Sequence, residues 1–523
     1  MSGMFEPKQD KAKRKQARTV QEENEKKKTK RTAIIITVVF VVVLTISLLL
    51  NSNIFHRTLP VLTIDGVGFT TAEFEFFYNM SLRENMHFLT QFQGIEGMGG
   101  TEPDFDRPLS GQIRNEETGE TWADFITGET LNRLSRLVPL YNAAREAGFA
   151  LPDEQIEIIE SAIENAVLEA QMFQITTANV LQRSFGSSMN VNVFRRVLEF
   201  ELLADAYSDF VRDSFSYSVL ELEEYYAENA DSLDVINYRI LTVFAEFPDE
   251  TDSASDTSDE DAIAAAHAVA SEMAAGIESE GDFISAAYEF DMWSHGNPDS
   301  TLRTVMGEWL DFDLSPWLTD ETRMYGDVTI IDTSMGSNIV FFVSRDDNSS
   351  QTVGMRQILI MREFVDPEEF SFPEDEQEYE LALEAAEREA DERAQSVHEL
   401  FISMGATEQA LLDMLEEHSD EDTEGGYYSH IAKFSYHGST FSSMKVVPEI
   451  EEWLFDESRE VGDSELVFTS DFGYHLLYFT GRYEPLSELM ATDRKRTADH
   501  AQWLDSLTSG EPVWHAAFWF VNI

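Results

Sequence analysis

The sequence predicts a multidomain α+β chain: one N-terminal transmembrane helix, a helical module, and two α+β domains of the same pattern. Three observations predict it. Residues 32–50 (TAIIITVVFVVVLTISLLL) form an uncharged, apolar run of 19 residues. Helical periodicity dominates residues 71–229. A strand-and-helix pattern that opens near Val235 opens again near Met355, an internal repeat of about 120 residues.

Bulk composition sets bounds. A chain of 523 residues with 43% hydrophobic content has room for several cores. The net charge is −61, unevenly spread. Residues 1–31 hold 11 basic and 5 acidic residues, a net of +6, so the remainder holds 26 and 93, a net of −67. Such a surface repels nucleic acid and anionic headgroups and attracts basic or unfolded partners, although acidity also serves solubility or salt adaptation. No cysteine is present, which removes disulfides, thiolate metal sites, a cysteine nucleophile and a lipidated cysteine anchor.

In chain order, residues 1–31 read as a basic tail without apolar periodicity. The 32–50 run is long enough to span a bilayer and leads into Asn51-Ser52-Asn53 with no small-x-small exit, which favours a retained anchor over a cleaved signal. The positive-inside rule leaves the tail cytoplasmic and the rest extracytoplasmic. Residues 58–232 form the helical module. A strand and turn at 61–66 precede a helix capped by Thr70 or Thr71 with Glu73, its face made by Phe74, Phe76, Phe77, Met80 and Leu82. Residues 91–120 read as loop; helices follow at 122–148, 152–172 and 192–214, and another begins at Ser218. The first α+β domain covers 233–347 and the second 355–484. Residues 485–523 supply a helix at 486–507 and an apolar end, too short for a second span, whose aromatics pack onto the helical module.

The stretch 415–482 carries the chemistry. An acidic Ser419-Asp420-Glu421 run closes on Gly425-Gly426. A helix surrounds Trp453, and Gly473-Tyr474-His475 enters an apolar strand. In this order the motifs resemble the C-terminal half of a parvulin-type peptidyl-prolyl isomerase domain, although the segment 461–467 lacks that family's proline. The strand-turn-helix at 61–77 resembles a SurA-type chaperone module. The whole resembles SurA-, PrsA- and PpiD-type foldases, which implies a single-pass protein of a bacterial cell membrane.

The resemblance implies two β-α3-β-α-β2 domains and an isomerase that needs neither cofactor nor metal. It places His475 at one histidine position of the site. Gln357 stands where the family has a second histidine, and Glu421, with Asp420 beside it, covers the Cys/Asp position. Val447, Ile450, Trp453 and Phe468 are candidates for the prolyl-ring pocket; as a stripe at helical spacing they equally suit core packing. In the first copy Asn338 replaces the histidine and Tyr238 or Arg239 takes the early strand position, which implies an inactive domain. The partners implied are unfolded or newly translocated chains. A catalytically dead holdase, or a scaffold subunit of a membrane complex, is the alternative.

Other chemistries lack support. Asp420-x-Asp422-x-Glu424-Gly425 resembles the front of a calcium loop, but its twelfth position is Ile431. His418, His430, His437 and His475 show no i,i+4 pair on a helix. No P-loop, GxSxG or HExxH motif occurs.

Overall fold

The structure is a computed structural model. It describes residues 28, 30–44, 53–91, 103–247, 259–290, 298–366, 370, 376–421, 424–433, 446–470 and 472–516. Two compact units divide the chain: residues 1–215 with 499–523, and residues 216–498.

In the first unit, helix α1 covers residues 30–44, with Ile34, Ile35, Ile36 and Phe40 exposed. Residues 45–50 of the expected anchor lie outside the described residues. Among those described, no helix is long and apolar enough to cross a membrane. A short helix α2 (Ile54–Thr58) precedes strands β1 (Pro60–Ile64) and β2 (Val67–Thr70). Asp65 and Gly66 both take positive φ, which closes the two-residue hairpin. Thr70 caps helix α3 (Thr71–Gln91): its backbone and hydroxyl donate to Glu73 at 2.8 Å each.

Between α3 and the next helix, where the sequence reads as loop, lies a hairpin of β3 (Ile113–Asn115) and β4 (Glu120–Thr121). Polar residues with little alternation hide so short a pair from pattern reading. Helices α4 (Trp122–Glu146), α5 (Asp153–Met172), α6 (Thr177–Phe185) and α7 (Val191–Ser214) enclose one core with Phe74, Phe76 and Phe77 of α3.

The second unit opens with α8 (Val219–Glu228) and α9 (Ala230–Leu233), so residues 216–232 group with this unit and not with the helical one. The first sheet domain then runs β5 (Val235–Phe244), α10 (Asp259–Ala274), α11 (Glu280–Phe290), β6 (Leu302–Met306), α12 (Ser315–Leu318), β7 (Val328–Thr333) and β8 (Gly336–Asp346). The second runs β9 (Gln351–Met361), α13 (Glu376–Ser403), α14 (Glu408–His418), β10 (Tyr427–Ile431), α15 (Pro448–Leu454), β11 (Ser464–Thr469) and β12 (Gly473–Pro485). Helix α16 (Leu486–Ser506) connects the two units. Strand β13 (Val513–Trp514) then pairs with β1 in the first, where Trp514 meets Phe74 at 5.3 Å between ring centres. Residues 517–523, with the aromatics Phe518, Trp519 and Phe520, lie outside the described residues.

The two sheets are antiparallel throughout and have matching orders, β6-β5-β8-β7 and β10-β9-β12-β11. Where the resemblance implies three helices after the first strand, the described residues of each copy show two α-helices before the next strand. The third is one turn of 3-10 helix, Pro298–Thr301 or Glu424–Gly426. Finer features repeat as well. Arg239 on β5 pairs with Glu280 at 2.7 Å, and Arg356 on β9 pairs with Glu408 at 2.6 Å, each glutamate in the first turn of a helix. Gly326-Asp327 and Gly462-Asp463 clip the last strand alike, bonding the backbones of Phe342 and Phe479.

Period-two alternation gives the second sheet two apolar faces. Val353, Met355, Leu477 and Phe479 pack against Val447, Ile450 and Trp453 around α15. Ile358, Ile360 and Leu476 pack against Ala394, Val397 and Phe401 of α13 and Leu411 and Met414 of α14. Full burial of each such side chain contributes about 1.5–3 kcal/mol relative to exposure.

Gly473 fixes the register at the entry to β12. Its φ is +119°, and a Cβ there would stand 2.6 Å from the Ile360 carbonyl oxygen and 2.9 Å from the Arg362 nitrogen. Gly473→Ala should therefore destabilise the second unit by about 2 kcal/mol or more, read from urea unfolding. An unchanged midpoint would contradict this packing.

Candidate functional site

The site lies on the α15-facing side of the second sheet. Strands β9 and β12 are neighbours, with His475 opposite Leu359 and Gln357 opposite Leu477. Alternation puts Gln357, Leu359 and His475 on that one face. Strand β11 brings Val467 opposite His475 and ends in Thr469 on the same side. The residues after α14 supply Ser419, Asp420 and Glu421, and β10 supplies Tyr428.

One hydrogen-bond chain joins these groups. His475 Nδ1 lies 3.0 Å from Gln357 Oε1, and His475 Nε2 lies 3.1 Å from Thr469 Oγ1. Gln357 Nε2 donates to Glu421 Oε2 at 2.7 Å. The Tyr428 hydroxyl donates to the other Glu421 oxygen. Chemistry sets the direction. A carboxylate only accepts, so the Gln357 amide nitrogen faces Glu421 and its oxygen faces the imidazole. Nδ1 must then carry a proton, and Nε2 accepts from Thr469. Gln357, Thr469 and His475 are all nearly or fully buried. Burial lowers the His475 pKa to about 4, against an upward pull from Glu421, and the ring is neutral at physiological pH.

Asp420 does different work. Its N–H donates to the Leu359 carbonyl at 2.8 Å, and its carboxylate accepts from the Met361 N–H at 2.8 Å. Arg393 of α13 grips both oxygens, at 2.6 and 2.7 Å. Burial raises the Asp420 pKa, but the Arg393 and Met361 hydrogen bonds outweigh it and hold the carboxyl below its usual value. Asp420 thus anchors β9, while Glu421 reaches the histidine through Gln357.

The ring-pocket candidates separate. Val447, Ile450 and Trp453 are buried core on the His475 side, and the Trp453 indole donates to Glu465 at 2.6 Å. Phe468 is a correction. It alternates to the opposite face, where its ring meets Tyr474 at 5.0 Å. The exposed aromatic beside the histidine is Phe472, edge-on at 6.2 Å between ring centres.

Sequence reading missed Thr469, Tyr428 and Phe472. A signal for Thr469 existed: Thr333 stands opposite Gly336 in the first copy as Thr469 stands opposite Gly473 in the second, but Thr333 donates its hydroxyl proton to the Gly336 carbonyl at 3.2 Å, whereas the single Thr469 proton goes to His475.

The first copy lacks this chain. Asn338 stands opposite Thr242 as His475 stands opposite Leu359, and it accepts from the Thr242 hydroxyl at 2.7 Å. Two residues before Thr242 comes Ile240. That residue, and neither Tyr238 nor Arg239, takes the place of Gln357.

No protein-family model matches this sequence, and no curated protein is similar to it. Solved structures similar to it include two PrsA proteins. The peptidylprolyl isomerase PrsA from Bacillus anthracis is 10% identical at a TM-score of 0.20, covering 50% of this chain and 88% of that one. PrsA from Bacillus subtilis is 14% identical at a TM-score of 0.15, covering 52% and 85%. Likenesses this weak carry no argument and place the chain in no family. The geometry of the site carries the reading.

A buried neutral histidine leaves a mark on stability. Folded His475 titrates at about 4, and the unfolded ring at about 6.5. Between those values the unfolded chain binds the extra proton, so stability falls as pH drops from 6.5 through 4. The loss is about 2 kcal/mol by pH 4.5. His475→Gln removes this component, so urea unfolding at pH 7 and 4.5 should show a shallower loss in the variant. Equal losses would contradict the burial.

Proposed function

We propose that this chain is an extracytoplasmic, membrane-anchored foldase. It binds unfolded secreted chains and catalyses peptidyl-prolyl cis/trans isomerisation at the second sheet domain. One observation carries the reading: the buried polar chain Thr469–His475–Gln357–Glu421, set into an otherwise apolar sheet face. A structural core has no need of four linked polar groups, which cost stability unless each is satisfied.

Prolyl isomerisation meets a barrier of about 18–20 kcal/mol, set by amide resonance. The reaction makes and breaks no covalent bond, so neither nucleophile nor metal is required. A catalyst lowers the barrier by favouring the twisted amide over the planar one. An apolar surface such as Leu359 and Phe472 strips water from the prolyl ring. Fixed dipoles beneath it replace solvent without reorganising as the amide twists. His475 and Gln357 supply those dipoles, both neutral. Proton transfer plays no part, and the rate should be level from about pH 5.5 to 8.

The remaining chain suits this work. The 32–50 run would tether the protein, with its basic tail inside. The helical unit would hold clients whose slow prolines delay folding. The first sheet domain, with Ile240 and Asn338, would bind or space without catalysis. A holdase or scaffold without isomerase activity is the second reading, favoured by Gln357 in place of a second histidine.

Prolyl exchange on a short peptide, followed by NMR with the full-length chain, separates the two. The isomerase reading expects catalysis that falls at least about tenfold in His475→Ala. Absence of catalysis by the folded chain would leave the holdase.

A further inference from the structure

Two neighbouring carboxylates flank the polar chain, and their charges are handled differently. Asp420 is neutralised by the bidentate Arg393. Among the described residues Glu421 receives neutral donors alone, the Gln357 amide and the Tyr428 hydroxyl. Among the described residues no Lys, Arg or His forms an ion pair with it.

Two other arginines of this domain are committed elsewhere. Arg356 bonds Glu408 and the Gly425 carbonyl while its guanidinium lies over the Tyr427 ring. Arg459 bonds the Trp453 carbonyl and lies over its ring at 4.1 Å. Glu421 itself is half-buried, and its charge is felt at the His475 imidazole. A solvent-reachable negative charge without a counter-ion, next to an apolar floor, is complemented by a cation on the bound chain.

We infer that this is a site for prolyl bonds flanked by a basic residue, with the Glu421 carboxylate receiving the Lys or Arg side chain of the bound peptide. The inference rests on the isomerase reading and names its substrate class. It differs from a general attraction by the acidic surface because one residue carries the selection.

The test uses the full-length chain and short peptides that carry Lys, Gln or Glu next to one proline, on either side. NMR exchange gives the catalysed rate for each. The expected result is a Lys-over-Glu preference of about fivefold or more at low salt, shrinking as salt screens the pair. In Glu421→Gln the ratio should fall towards one. If that variant isomerises too slowly, peptide-induced shifts of the His475 resonance give the same ratio as binding. Equal rates for Lys and Glu peptides would overturn the inference and leave the isomerase intact. So would a preference that survives in Glu421→Gln, since the diffuse acidic field would then be its source. No catalysis of any peptide would remove the isomerase reading and this inference with it.

Discussion

A carboxylate cannot donate a hydrogen bond, and the site depends on that fact. Glu421 accepts from the Gln357 amide nitrogen and so turns its oxygen toward His475. The imidazole must answer with a proton on Nδ1, and its Nε2 is left to accept from Thr469. One acidic residue after a helix therefore sets the polarity of three buried side chains on three strands. Tyr428, at the second oxygen, holds the carboxylate in place. Burial then keeps the ring neutral, because an imidazolium there would lack its share of water.

The scaffold beneath this chain occurs twice. The same sheet order, strand arginine, Gly-Asp clip and Thr-to-Gly turn appear in both sheet domains. What differs is the face of the central strands. Ile240 and Asn338 stand in one copy where Gln357 and His475 stand in the other. The fold is thus compatible with either a single Thr242–Asn338 contact or a longer polar chain on this face, and function lives in a few side chains placed upon it. The paired copies also show what Asp420 and Glu421 contribute beyond the scaffold. One ties the post-helix turn to β9 through the Met361 N–H and to α13 through Arg393, and the other reaches the floor through Gln357.

Much of this was legible in sequence. The apolar run entered through Gly473-Tyr474-His475 marks β12, and the pattern that opens near Val235 and again near Met355 marks the repeat. His475, Gln357 and Glu421 are distant in sequence but meet as the motif order implies. Phe468 faces away from the site because a period-two strand sends neighbours to opposite faces, and the anchor of its register is Gly473, four residues beyond the end of β11. The early strand position of the first copy was off by one or two residues for the same reason: register is decided by pairing with β8, which sequence alone does not display. Thr469 and Tyr428 carry no motif of their own; their role arises only when three strands close. The short hairpin at 113–121 and the grouping of 216–232 with the second unit depend on tertiary contacts as well.

The ring nitrogens of His475 report the direction of the hydrogen-bond chain directly. Nitrogen-15 NMR of the full-length chain at pH 7 distinguishes the two neutral tautomers and the charged ring. The expected result is a neutral His475 protonated at Nδ1, with Nε2 shifted as an acceptor, and loss of that pattern in Glu421→Leu. A ring protonated at Nε2 alone, or charged at pH 7, would contradict it.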